Sequence, residues 1–154
     1  MASPIEVQLI LADAAQVAGG KVNMLGAGWS ITGTPTPLSA VVGLLKVPWD
    51  RANQQMPLHL QLVDADGHPV KQSNPLTGQE QALAFQATLE VGRPPGLKAG
   101  TPLDLPFAVP VPPLPLRPGR YTWQLDIGDD DRATASFTVL DPSPAGGGGR
   151  QSDE

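Results

Sequence analysis

The sequence contains no cysteine, which excludes disulfide staples and thiolate metal sites. Its only histidines are His59 and His68, and neither stands in a G-x-S-x-G or comparable context. A Ser-His-Asp relay needs a histidine held between nucleophile and carboxylate, so the expectation is that the chain is not an enzyme. Charged residues make up 16% of the chain, below the roughly 25% usual for soluble domains, and Lys and Arg form no block. With a formal net charge of −5, nucleic acid and anionic membrane surfaces are not expected partners, since both need clustered cations. No stretch approaches the ~20 apolar residues of a membrane helix, so no membrane insertion is expected. Met1-Ala2-Ser3-Pro4-Ile5-Glu6 lacks the basic start and apolar run of a signal peptide, and the expected location is the cytoplasm. The glycines at 26, 28 and 33 match no phosphate-cradling pattern, and no residue set requires a cofactor.

What the chain has in quantity is proline (18) and glycine (17), more than a fifth of its 154 residues. They follow no strict period, which excludes collagen, and fall between segments of alternating polarity, where an all-β protein places its turns. The clearest such segments lie between Pro118 and Leu140. Tyr121, Trp123, Leu125 and Ile127 alternate with Thr122, Gln124 and Asp126; Ala133, Ala135, Phe137 and Val139 alternate with Thr134, Ser136 and Thr138. Strand side chains point to opposite faces with period two, so these segments, joined by Gly128 to Asp131, predict a hairpin with one buried face.

The same pattern recurs at Ile5–Leu11, Lys21–Leu25, Leu58–Val63 and Leu83–Val91. Ala12-Asp13-Ala14-Ala15-Gln16 reads as one helical turn ended by Gly19-Gly20. Leu38–Val47 is apolar on both faces and reads as a central strand or one covered by a partner. Leu103–Val111 alternates too, but prolines at 102, 106 and 110 cannot donate to a ladder, which predicts an edge strand or a sheet-to-sheet crossing. The expected fold is all-β: an antiparallel two-sheet, immunoglobulin-like β-sandwich of about nine short strands over residues 1–140. Residues 141–154, rich in glycine and with nothing to bury, are expected to be a disordered tail. Tyr121 is the sole tyrosine, placed to bond its hydroxyl back across a corner as in many immunoglobulin-like domains.

Leu11-Ala12-Asp13-Ala14-Ala15, followed by Gly20-Lys21-Val22-Asn23-Met24-Leu25-Gly26, resembles the opening of a widespread family of small bacterial proteins catalogued as a domain of unknown function. In that family an L-A-D-x-A run precedes G-K-L-N-x-x-G. The Leu58–Gly67 and Phe107–Tyr121 regions are similar to its later landmarks, while Gly28-Trp29-Ser30 departs from its pattern. The resemblance implies a β-sandwich and brings no activity with it.

The candidate site is the loop residues Trp49, Asp50 and Arg51, because Trp and Arg are enriched at binding hot spots. The competing reading has Trp49 capping an open end of the core. Asp64-Ala65-Asp66-Gly67 and Asp129-Asp130-Asp131 invite a calcium reading, but ordinary turn chemistry accounts for both, and no metal site is assigned. Pro110-Val111-Pro112-Pro113-Leu114-Pro115 holds a P-x-x-P spacing and reads as a packed crossover. The functional expectation is a non-catalytic protein-interaction or structural module, with a protein partner or a homo-oligomer formed through a sheet edge or end loop. The alternative is a sandwich that binds a small ligand, a glycan or calcium.

Overall fold

In a computed structural model, which describes residues 3–141, the chain is all-β. Its strands are β1 (Glu6–Ala12), β2 (Ala14–Ala18), β3 (Lys21–Leu25), β4 (Ile31–Thr32), β5 (Ser39–Val47), β6 (Met56–Val63), β7 (Lys71–Ser73), β8 (Glu80–Ala82), β9 (Ala84–Leu89), β10 (Leu103–Val111), β11 (Gly119–Ile127) and β12 (Asp131–Val139). The helical turn at Trp49–Arg51 is of the 3₁₀ type. Of the tail expected over residues 141–154, all but Asp141 lies outside the described residues.

One sheet has the order β1-β5-β10, all antiparallel; the other has the order β4-β12-β11-β6-β9, antiparallel except where β4 joins β12. Their inner faces meet in one core. Leu11, Val41, Leu45, Val47 and Leu103 come from the first sheet, and Leu58, Leu60, Leu62, Tyr121, Trp123, Leu125, Ile127 and Phe137 from the second. The period-two expectation holds for β11, where Tyr121, Trp123, Leu125 and Ile127 are buried, and for the end of β12, where Phe137 and Val139 are. Gly43, at the centre of β5, faces Phe107 of β10, and a Cβ there would run into the Phe107 ring.

The expected count of about nine strands is corrected to twelve among the described residues. The strands outside the segments read above are β2, β4, β7 and β8, and two of the pairings are separate two-stranded hairpins, β2–β3 and β7–β8. β7 and β8 are exposed throughout and carry no apolar alternation to read. Residues 14–18 are strand, not helical turn: Gly19 and Gly20 both have positive φ (59° and 74°), the backbone of a tight two-residue hairpin turn.

The β2–β3 hairpin folds over the outer face of β5 and β10, and Ala12, Ala40 and Val42 are buried beneath that side of the sheet. This explains why Leu38–Val47 is apolar on both faces. One face looks into the core, the other is roofed by the chain's own hairpin, and both edges of β5 are occupied by β1 and β10. The Leu-Ala-Asp…Gly motif closes the base of this hairpin. Asp13 N–H donates to the Leu25 carbonyl at 2.9 Å, and a Cβ at Gly26 (φ 61°) would strike the Asp13 carboxylate.

Candidate functional site

Pro48 leads into the 3₁₀ turn, closed by Arg51 N–H on the Pro48 carbonyl at 2.9 Å. Arg51 Nη1 donates to Asp131 Oδ2 at 2.8 Å and to the Ser3 carbonyl at 3.1 Å. The other oxygen of Asp131 accepts Ile5 N–H at 3.1 Å in a buried bond. Side-chain exposure is 17% for Arg51 and 7% for Asp131, so the pair ties the N-terminal segment, the β5–β6 connection and the start of β12 together. The structure therefore engages Arg51 in an internal ion pair. It also places Asp131, read from the sequence as a turn residue, as the buried first residue of β12.

Trp49 is half-buried and outside the core cluster. The Arg93 guanidinium lies 4.6 Å above its ring, and Arg93 Nη2 donates to the Trp49 carbonyl at 2.6 Å. Asp50 is exposed, and its carbonyl accepts Gln54 Nε2 at 3.2 Å. Of the three predicted residues, Trp49 and Asp50 face a hollow of about 490 Å³ shared with Pro48, Lys46 and Pro102, and Arg51 does not.

The histidines lie apart. His59 sits on the outer face of the five-stranded sheet, in register with Asp126 and Gln86, and Arg132 Nε donates to Asp126 at 2.7 Å. His68, in the exposed turn after β6, has Nδ1 4.0 Å from Asp64 Oδ1. Asp64, Asp66 and His68 bring one donor atom each within 4.8 Å of the others. Asp64 Oδ1 already accepts the N–H groups of Asp66 (2.9 Å) and His68 (3.0 Å), the local bonding that makes Asp a turn former. The proline-rich segment after β10 is a packed crossover, with Leu114 and Leu116 buried and Leu114 N–H donating to Thr36 Oγ1 at 2.8 Å.

Sequence reasoning missed two surfaces. The first is a cleft of about 430 Å³ between the β2–β3 turn (Gly20, Lys21, Val22) and the outer face of the three-stranded sheet (Gln8, Leu44, Pro106). Glu6, Lys46 and Asp104 also line it; the Asp104 hydrogen bond (2.6 Å) and charge raise the Lys46 ammonium above its ordinary pKa. The second is the β7–β8 arm. Asn74 N–H donates to the Gln79 carbonyl, Gly78 N–H to the Asn74 carbonyl and Leu76 N–H to Asn74 Oδ1, each at 2.8 Å. This turn holds Leu76 at 92% exposure. Leu25, at 72%, stands on the outward face of the β2–β3 hairpin. Asn74-Pro75-Leu76-Thr77-Gly78 is a legible turn sequence, but that it caps an arm projecting into solvent depends on what the strands before and after it pair with.

A family model described as a family of unknown function, DUF6941, matches residues 8–140, and the chain belongs to that family. No curated protein matches it.

Proposed function

We propose that this member of the family is a non-catalytic protein-interaction module, an immunoglobulin-like sandwich that meets its partner with apolar side chains held on rigid β-arms. Two features support the fold reading. Two sheets face one another over a single core, and Tyr121 donates its hydroxyl to the Arg117 carbonyl at 2.8 Å, the corner bond expected at the entry to the penultimate strand.

The interaction reading is carried by Leu76. Three local hydrogen bonds fix the turn that exposes it, so its side chain is presented to solvent at little further ordering cost. Burying such a leucine against a partner is worth about 1.5–3 kcal/mol. Leu76→Asp tests this, because an exposed turn position leaves the core untouched. Affinity capture from the producing host with the wild-type chain and the variant, at equal thermal stability, is expected to lose its retained proteins at least tenfold in the variant. Equal retention by the two, or none by either, defeats the reading.

A further inference from the structure

We propose that β9 is an open edge for a second copy of this chain, pairing antiparallel to itself across a two-fold axis to join two five-stranded sheets into one. This rests on the interaction-module reading and adds to the contact carried by Leu76 a second one, through a sheet edge.

The two main sheets have four edge strands: β1, β10, β4 and β9. An unpaired edge offers a row of N–H and C=O groups to any other strand, and proteins close such edges by recurrent devices. β4 is only two residues long. On β1 the Leu11 carbonyl faces away from β5 and accepts Gly28 N–H at 2.7 Å, while Ile5 N–H, on the same side, is taken by Asp131. Because inward and outward groups alternate, that one bond sets the phase of the whole sheet. Even-numbered residues of β1 bond the even residues of β5, odd residues of β5 bond the odd residues of β10, and even residues of β10 point outward. Pro106 and Pro110 are even. The prolines of β10 thus fall where an N–H would have faced a newcomer, and they block that edge without breaking the ladder to β5.

β9 has none of these devices. Its sequence, Ala84-Phe85-Gln86-Ala87-Thr88-Leu89, contains neither proline nor charge. The same alternation fixes the phase of the five-stranded sheet. Gly128 N–H donates to the Pro57 carbonyl, so odd residues of β6 face β11 and even ones face β9; Leu62 N–H accordingly donates to the Leu83 carbonyl. The odd residues of β9 are therefore turned toward β6, and Ala84, Gln86 and Thr88 turn their N–H and C=O groups outward. Gln86, Ala87 and Thr88 are exposed.

The strand is complementary to itself. A two-fold axis perpendicular to the sheet at Ala87 sets Phe85 opposite Leu89 of the second copy on the inner face, and Gln86 opposite Thr88 on the outer face. Ala87 then meets its own copy in a non-hydrogen-bonded pair, where Cα atoms approach to about 4.5 Å and a small side chain fits. Gln86 and Thr88 form the hydrogen-bonded pairs on either side, giving about four backbone bonds. The flanking acids, Glu80 and Glu90, fall opposite Pro94 and Ala84 rather than each other. Leu38–Val47, expected to be a central strand or one covered by a partner, is central, with both edges occupied, so a partner strand has β9 and not β5 to pair with.

Sedimentation velocity over a concentration series tests the proposal, with two double variants at exposed positions whose folding is checked by thermal melting. The wild-type chain is expected to dimerise. Q86E/T88E places like charges opposite each other on both sides of the axis and is expected to weaken the dimer at least tenfold. Q86K/T88E places opposite charges there and is expected to restore it to within a few-fold of wild type. A wild-type chain that stays monomeric at every concentration, or dimers indifferent to both variants, overturns the proposal. A wild-type monomer that still loses partners on Leu76→Asp overturns the β9 dimer alone and leaves the interaction module standing.

Discussion

Asp131→Ala decides whether the Trp49 loop is held by internal electrostatics. The carboxylate is 7% exposed and Arg51 17%, so solvent screening discounts their interaction little. Removing the carboxylate leaves Arg51 with the Ser3 carbonyl and strips Ile5 N–H of its acceptor. Breaking a buried pair by deleting one member typically costs 3–5 kcal/mol, and an orphaned buried N–H about 1–3 kcal/mol. These overlap, and the freed guanidinium has some access to water, so the expected loss is about 3 kcal/mol. For a chain of this length that corresponds to a fall in Tm of about 6–12 °C. Arg51→Met isolates the more deeply buried partner and is expected to cost at least as much. The double variant is expected to lose much less than the sum, because the two residues share one interaction. Urea denaturation of the four species at low and high salt is the assay, with little salt dependence expected for a buried pair. Single variants within about 0.5 kcal/mol of wild type, or strictly additive losses, would refute the reasoning and place the pair among weak surface contacts. Any binding role of the loop is accordingly tested at Trp49 or Asp50, whose replacement leaves this pair in place.

Gly43→Val should destabilise by about 1–3 kcal/mol, because a side chain there displaces the half-buried Phe107 ring from its packing against the core; an unchanged urea midpoint would contradict the packing. Tyr121 gives a pH test in a chain with one tyrosine. Burial, with Asp64 adding, raises its hydroxyl pKa in the folded state. Its contribution to stability is therefore complete below about pH 10, the unfolded value, and lost as pH rises through the folded pKa. Absorbance at 295 nm should show a titration displaced upward from that of the denatured chain, and Tyr121→Phe should flatten the alkaline decline while costing about 1 kcal/mol at neutral pH. Coincident titrations of native and denatured chains would contradict the burial of the Tyr121 hydroxyl.

What could be read in advance was what repeats locally. Tyr121, Trp123, Leu125 and Ile127 alternate because each is buried in the core shared by the two sheets, and the prolines at 106 and 110 mark an edge because a central strand could not tolerate them. The misreadings occur where the local signal is weak or the partner is remote. β2 is largely alanine, which favours helix by propensity, and only the positive-φ pair Gly19-Gly20 turns it into a strand. Asp131 sits in a run of turn-forming acids, and nothing nearby announces a bond to an arginine 80 residues earlier. Edge status is more remote still. The alternation in Ala84–Leu89 states which face is buried, but whether its outward N–H groups are paired depends on the strand order of the whole sheet. Strand order arises from long-range contacts among β6, β11 and β12, so an open edge is a property of the assembled fold. The contrast between β10 and β9 becomes informative only there. The edge that carries prolines has been closed, and the edge that carries neither proline nor charge is the one on which an interaction can be built.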